Sequence, residues 1–182
     1  MKTKKWVLDP THSEIQFKVK HLMISTVTGQ FKKFDGWVET EGDDLRTAKV
    51  RFTAEISSIY TNNEQRDAHL QNGDFFDAEN HPELKFVGQK LEKIDEENYK
   101  LYGNLTMRGT TKPEILNVEF GGIAKDPWGN TKLGVTVSGK INRKDYGVNF
   151  DAVTETGGFV LGNEVKLLAS VQFVQNEVLQ IA

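Results

Sequence analysis

The feature of this sequence that most restricts its fold is an alternation of apolar and polar residues with a period of two. Residues 14–20 place Ile, Phe and Val at the odd positions between Glu, Gln and Lys, and residues 49–56 repeat the pattern. Successive side chains of a strand point to opposite faces, so each segment has one apolar face and one polar face. Further segments of this kind lie at 99–108, 133–141 and 165–173, and weaker ones at 29–39, 83–94 and 112–123. The pattern predicts an all-β fold of about eight long antiparallel strands, either a meander or a barrel.

One segment departs from the alternation and predicts a short helix near residues 62–72. Thr61 and Glu64 have the spacing of a capping box, in which each side chain satisfies a free N–H at the helix start. Gly73 is expected to end the helix in the left-handed conformation. The helix and the adjacent aromatic pair Phe75-Phe76 are therefore expected to cover one end of the sheet structure.

Arg66 and His69 are the best candidates for polar chemistry, because a spacing of three places them on one face of this helix. At a barrel mouth they would bind a polar or anionic head group, Arg66 through a two-pronged hydrogen bond and His69 as a switchable donor. The structural alternative is a salt bridge from Arg66 to Asp74 or Asp77.

Composition excludes several classes of protein. The chain contains no cysteine, so disulfides, thiolate catalysis and Cys-based metal sites are excluded. Its net charge of −3 provides no broad positive field for nucleic acid. Uninterrupted apolar runs reach only three residues, far below the ~20 that span a bilayer. We expect a soluble, non-membrane-spanning protein with a single domain over residues 1–182.

Motifs for catalysis and for metal binding are weak. Asp9, His12 and Ser13 lie close in sequence, but no nucleophile elbow of the G-x-S-x-G type accompanies them. Asp9-Pro10 instead predicts a turn, with Ser13 or His12 bonding its backbone. The four histidines form neither an H-E-x-x-H motif nor a close pair. We therefore predict no catalytic residue, no metal site and no cofactor.

The residues alone leave the state of the barrel interior open. An eight-stranded barrel is either just filled by its side chains or holds one small ligand. Glycine inside a strand marks a bulge, a bend or a close approach to the backbone. Five glycines fall within the predicted strands, namely Gly88, Gly103, Gly122, Gly134 and Gly139. They fit either a filled core with bends or an apolar cavity.

Motifs distributed over residues 6–174 resemble those of the YceI-like, polyisoprenoid-binding family. In their combination and order they are specific, although each alone is weak. They are Trp6-x-Leu8-Asp9-Pro10-x-His12-Ser13, Gly29-x-Phe31, Arg66-Asp67-x-His69-Leu70, Asp74-Phe75-Phe76-Asp77, Gly103-x-Leu105-Thr106-x-Arg108-Gly109 and Arg143-x-Asp145-Tyr146-Gly147.

The resemblance implies an extended lipocalin-like antiparallel barrel whose interior holds a long isoprenoid or similar amphiphilic lipid as its ligand. The helix with Arg66 and His69 would lie near the entrance, as head-group candidates. The resemblance carries no catalytic motif. The side chains expected to line the cavity are Phe17, Val19, Phe31, Phe52, Ile56, Leu70, Phe75, Phe76, Phe86, Leu105, Val118, Phe120, Val135, Val137 and Phe173.

The function predicted from these observations is non-catalytic binding or transport of such a lipid. One alternative is an enzyme or accessory factor of isoprenoid or quinone metabolism that acts on a bound head group through Arg66, His69 and an acid such as Asp77. A second is a stress-response or interaction domain with a filled core. The basic residues that open the chain are followed by no apolar segment of signal-peptide length. The chain as written is expected in the cytoplasm, and it is expected in the periplasm if it is the mature form of an exported precursor. Whether it forms a homodimer stays open.

Overall fold

The computed structural model describes residues 2–152 and 160–177. Strands dominate these ranges, together with one α-helix, α1 (Glu64–Gln71), and short 3₁₀ turns. The strands are β1 (Thr3–Leu8), β2 (Glu14–His21), β3 (Ser25–Phe31), β4 (Phe34–Glu41), β5 (Asp44–Glu55), β6 (Ile59–Tyr60), β7 (Glu83–Lys93), β8 (Asn98–Met107), β9 (Thr110–Lys125), β10 (Thr131–Asn142) and β11 (Leu161–Glu177). Seven of the eight alternating segments each overlap one strand, whereas residues 29–39 contain the end of β3, a bend at 32–33 and most of β4. β1 and β6 were not predicted.

The strands form one antiparallel sheet that closes into an eight-stranded barrel. β1 pairs with β4 on one side and with β11 on the other, which closes the ring β1-β4-β5-β7-β8-β9-β10-β11. β2 continues the path of β1 along β11, and β3 pairs with β2 before the chain turns into β4. The first two wall segments, β1 with β2 and β3 with β4, are therefore long bent strands. The closed barrel confirms the predicted fold class.

Asp9 forms the corner at which the chain bends from β1 into β2. Its carboxylate accepts hydrogen bonds from the Thr11 N–H at 3.0 Å and the Thr11 hydroxyl at 2.6 Å, and it pairs with His12 at 2.9 Å. The Ser13 hydroxyl donates to the Asp9 carbonyl, which confirms the predicted turn. Lys132 of β10 reaches the same carboxylate at 3.2 Å. The hydrogen bonds from Thr11 and His12, with that from Lys132, hold the pKa of Asp9 well below its usual range.

We expect Asp9→Asn to lower the free energy of unfolding by about 1–3 kcal/mol near neutral pH, because the amide loses charge-assisted hydrogen bonds. The folded-state pKa lies below the unfolded value, so the charge stabilises the fold above the unfolded pKa. This contribution is lost as the pH falls through the folded pKa. Urea unfolding of both proteins should show a constant difference above pH ~5 that narrows below pH ~4. A difference that widens in acid would contradict this role.

Glycines in the strands make room for neighbouring rings. A Cβ atom at Gly103 would lie 2.5 Å from the tip of the Phe86 ring, and one at Gly29 would overlap the Phe17 ring. The β9–β10 register shifts beside Gly134, and the β7–β8 register shifts beside Gly88. The strand glycines thus mark close approaches and bulges, as predicted.

The two ends of the barrel differ. The closed end carries the β7–β8 and β9–β10 turns and is filled by buried side chains, namely Trp6, Val38, Leu91, Tyr99, Val118, Leu133 and Phe173. The opposite end carries the β2–β3 and β8–β9 hairpins, α1 and the start of β11. We call this opposite end the mouth. No helix within the described ranges is long and apolar enough to cross a membrane.

Helix α1 lies where predicted, but its caps differ from the prediction. Asn63, not Thr61, caps the first turn, and its side chain accepts a hydrogen bond from the Arg66 N–H at 3.0 Å. The Thr61 hydroxyl is directed instead to the Asp67 carboxylate, which also accepts from the Thr61 N–H. The helix ends at Gln71 with Asn72 as its C-cap, and Gly73 does not adopt the left-handed conformation. The predicted capping box on Thr61 and the predicted glycine C-cap are therefore wrong.

Candidate functional site

The barrel interior contains two adjoining cavities rather than a filled core. The outer cavity, at the mouth, has a volume of about 300 Å³, and the inner one about 140 Å³. Leu84, Leu105 and Leu167 line both and form the waist between them. The outer volume lies at the lower end of the range for small-molecule sites, roughly 300–1,000 Å³. The interior is therefore large enough for an apolar ligand.

Most of the predicted wall residues lie on these cavities. Those on the outer cavity are Phe17, Val19, Phe31, Leu70, Phe75, Phe76 and Leu105. Those on the inner cavity are Phe52, Phe86, Val137, Phe173 and again Leu105. The alternation placed these strand residues correctly, because it identifies the inward face. Their contact with a lipid stays a prediction.

Four predicted wall residues line neither cavity. Ile56 is buried in a cluster with Phe31, Ala54 and Ile59 beside the helix. Val118, Phe120 and Val135 pack in or against the core formed by the barrel strands. The expected lining is corrected at these four positions, because burial on the inward face does not by itself place a side chain next to the empty space.

Three polar residues of the outer cavity, Thr61, Arg66 and His69, lie on or beside α1. Arg66 donates from Nε to the Thr61 hydroxyl at 2.7 Å and from Nη2 to the Thr61 carbonyl. It forms no salt bridge with Asp74 or Asp77, which corrects that alternative. His69 contacts Asp74 instead, with Nε2 at 2.8 Å from the carboxylate. The helix thus brings Arg66 and His69 to the same cavity, as predicted, through different partners.

His69 belongs to a cluster of three rings at the mouth. Its imidazole lies edge-on to Phe75 and to Phe150, with both centroid separations 4.9 Å, and the two phenyl rings are 5.0 Å apart. We call these three residues the mouth cluster. Arg108, at the β8–β9 turn, donates from Nη1 to the carbonyls of Gly73 and Phe75 and so fixes the loop beside the cluster. The mouth is therefore bordered by rings held in place by hydrogen bonds.

Sequence reasoning assigned no role to Arg143, although its motif was noted. Its side chain is 5% exposed and lies on the outer cavity. The guanidinium donates to the carbonyls of Val148, Phe150 and Gly162 at 2.7–2.9 Å, and Nη2 lies 3.4 Å from Asp151. Burial lowers the pKa of Arg143, whereas the negative charge of Asp151 raises it. The guanidinium stays protonated at neutral pH. Arg143 therefore ties the segment that carries Phe150 of the mouth cluster to the start of β11.

A second buried group supports the same turn. Tyr146 is fully buried, and its hydroxyl donates to the Glu114 carboxylate at 2.6 Å, which joins the turn after β10 to β9. Burial, followed by this hydrogen bond, raises the pKa of Tyr146 above its usual range. Arg143 and Tyr146 of the Arg143-x-Asp145-Tyr146-Gly147 motif thus each have a structural role.

We expect Arg143→Met to lower the free energy of unfolding by about 3–5 kcal/mol, since it leaves three carbonyls without their donor and removes the cation beside the Asp151 carboxylate. The control is Lys140→Met, which removes an exposed pair with Glu164. That control should cost less than about 1 kcal/mol. Urea unfolding midpoints measure both. Equal effects of the two variants would show that the buried guanidinium is not a structural tie.

In a comparison with known families, a YceI-like domain matches residues 6–173. The chain belongs to the YceI-like family. The curated relatives reported next are about as long as this chain. A UPF0312 protein of Staphylococcus epidermidis is 45% identical over 170 residues, covering 93% of this chain and 96% of the relative. One of Staphylococcus aureus is 42% identical over 173 residues, covering 94% and 98%.

Solved structures share the YceI-like barrel. The YCEI protein of Campylobacter jejuni is 35% identical with a TM-score of 0.76, covering 87% of this chain and 90% of that one. BcnA of Burkholderia cenocepacia has a TM-score of 0.77 at 19% identity, covering 91% and 98%. A polyisoprenoid binding domain from Saccharophagus degradans has a TM-score of 0.68 at 14% identity, covering 94% and 98%. The last two show the shared fold.

Histidine and carboxylate groups in the part of the chain described here form no cluster of three or more that suits a metal ion. His69 lines the outer cavity and is hydrogen-bonded to Asp74, which gives an imidazole–carboxylate pair of the kind used in catalysis. No serine or threonine nucleophile was found hydrogen-bonded to this imidazole within the described ranges. The geometry therefore offers an apolar container with a polar rim.

Proposed function

We propose that this protein binds a long-chain polyisoprenoid or similar amphiphilic lipid and carries it unchanged. The observation that supports this most is the pair of adjoining cavities, whose walls are mostly aliphatic and aromatic side chains. The polar residues that border the inner cavity are Gln16, Arg51 and Glu114, and the rest of its lining is aliphatic or aromatic. A structural neighbour is itself described as a polyisoprenoid binding domain.

Hydrocarbon burial provides the affinity in this proposal. Each buried CH₂ contributes up to about 0.8 kcal/mol, so one five-carbon isoprene unit contributes a few kcal/mol before the cost of ordering the chain is subtracted. The polar end of the ligand would lie near Arg66 and His69, which border the outer cavity. Recognition would therefore depend on the tail more than on the head group.

The surroundings of His69 favour binding over catalysis. Its ring packs against Phe75 and Phe150 while Nε2 bonds Asp74, so the imidazole is part of the wall around the mouth. Arg66 directs its guanidinium to Thr61 of its own segment. Both side chains are thereby explained by structural contacts, and each could still donate a hydrogen bond to a head group.

Native purification followed by solvent extraction and mass spectrometry tests the proposal. We expect a long-chain lipid near one per chain from the wild type, and the chemically identical lipid from His69→Ala. The alanine variant should retain less of it, since a partly buried hydrogen-bonding group contributes about 1–3 kcal/mol. An empty wild-type interior, refractory to loading with prenyl alcohols, would contradict binding. An altered lipid from the wild type with its precursor from His69→Ala would identify an enzyme.

The waist between the cavities predicts how affinity depends on chain length. Affinity for prenyl alcohols should rise with length until both cavities are filled, and then level off. Leu167→Trp would fill the waist, because Leu167 lines both cavities and is only partly buried. We expect this variant to bind a two-unit alcohol normally but to lose about tenfold or more of the preference for longer chains.

Calorimetric titrations below the aggregation concentration measure this preference. The matched control is Ile115→Trp on the outer face of β9, where the side chain is 54% exposed. It should leave the preference unchanged. Leu167→Phe adds less volume and should give an intermediate loss. Equal affinity of two-unit and eight-unit chains for the wild type would contradict tail recognition.

A further inference from the structure

The hairpin between β2 and β3 presents three consecutive apolar side chains to solvent. Leu22, Met23 and Ile24 are 40%, 64% and 83% exposed. Single exposed apolar residues are common on proteins, but contiguous ones mark an interaction site. We call these three residues the hairpin tip.

The backbone of the hairpin tip is unusual for such residues. Leu22 and Met23 have φ angles of +53° and +60°, and the Ile24 N–H donates to the His21 carbonyl at 3.2 Å. Two successive positive φ angles are typical of type I′ turns, which strongly favour Asn-Gly. Leucine and methionine are strained in this conformation, so the stability of the turn does not explain why they occur there. This sequence therefore keeps bulky apolar side chains at positions where the fold would favour small polar ones.

The hairpin tip adjoins the mouth of the outer cavity. His21 and Val27, which flank it on β2 and β3, both line that cavity. The Leu22 N–H donates to the carbonyl of Val160, another lining residue, at 2.8 Å. The other exposed large apolar side chains at turns, Ile94 and Trp128, lie at the closed end of the barrel. The apolar tip is thus beside the opening through which a ligand would pass.

Positive charge accompanies the tip on the outer face of the barrel. Lys18 and Lys20 point outward from β2, and Lys166 of β11 lies directly across from Lys18. Within the described residues none of these three lysines forms an ion pair, and the nearby Glu164 pairs with Lys140. The acidic residue of the same β2 face, Glu14, lies at the far end of the strand. Local positive charge therefore contrasts with the net charge of −3.

We propose that the hairpin tip docks this protein on an anionic lipid bilayer, with Met23 and Ile24 inserted at the interface and Lys18, Lys20 and Lys166 near the head groups. Interfacial binding of this kind combines burial of apolar side chains with attraction to anionic lipids. The orientation brings the cavity mouth to the membrane, and so deepens the proposed function by naming the source of the ligand. The docking itself does not require a filled cavity.

Co-sedimentation with phosphatidylcholine vesicles, with and without phosphatidylglycerol, tests the docking. We expect the full chain to bind the anionic vesicles and the double variant Met23→Ser/Ile24→Ser to lose about tenfold or more in partitioning. The control Trp128→Ser removes a side chain that is 82% exposed at the closed end, and should leave partitioning unchanged. Lys18→Gln/Lys20→Gln should weaken binding to anionic vesicles only, and added salt should do the same.

A fluorescent label reports the orientation directly. Because the chain has no cysteine, Ile24→Cys and Trp128→Cys each provide one labelling site. An environment-sensitive dye at residue 24 should gain intensity and shift to the blue on adding anionic vesicles, whereas the dye at residue 128 should not change. Equal responses at the two sites would overturn the proposal.

Titration with a short prenyl alcohol separates this proposal from the proposed function. The Met23→Ser/Ile24→Ser variant should bind the alcohol in solution like the wild type while it fails to sediment with vesicles. A variant that still sediments like the wild type overturns the docking and leaves ligand binding intact. The other possible occupant of the hairpin tip is a second copy of this chain, which sedimentation velocity tests. A wild-type dimer that the two serines dissociate, together with no binding of the wild type to vesicles, would assign the tip to that second copy and overturn the docking.

Discussion

Pairing between β1 and β11 is the constraint on which the rest of the structure depends. An open sheet of these strands would expose two edges and one apolar face, whereas closure satisfies the edge hydrogen bonds and encloses that face. Closure through eight strands also sets the radius, which at this number is close to the boundary between a filled and a hollow interior. The pairing of residues 4–8 with residues 173–177 therefore decides that an interior exists at all.

The cavities result from how that interior is filled along its axis. At the closed end, Trp6, Tyr99 and Phe173 occupy the space between the strands. Toward the mouth, β6 is only two residues long and the chain leaves the sheet to form α1, so side chains from the helix and its loop complete the wall. If the protein binds a lipid as proposed, the ligand would enter through this part of the wall, which is built from a short helix and rings rather than from paired strands.

Polar groups at the mouth are held by contacts within the protein. Arg143 and Arg108 donate hydrogen bonds to backbone carbonyls, and His69 is hydrogen-bonded to Asp74. Hydrogen bonds within the chain therefore fix the side chains of the rim. The proposed binding of a lipid tail and the proposed docking of the hairpin tip use the same end of the barrel. Both follow from one asymmetry, in which one end is packed and the other carries the opening, the exposed apolar tip and the lysines.

The sequence by itself determined the eight alternating segments and their inward faces, the Asp9 turn and the YceI-like family, because alternation and short motifs are local properties. Tertiary structure decided what depends on depth and distance. Alternation could not separate Phe52, on the inner cavity, from Val118 in the packed core, since both face inward. It could not show that Asp67 draws Thr61 away from the cap, or that β11 and the turn after β10 enclose Arg143. These outcomes are contacts between segments far apart in the chain or between competing side chains, and only the closed barrel brings those groups together.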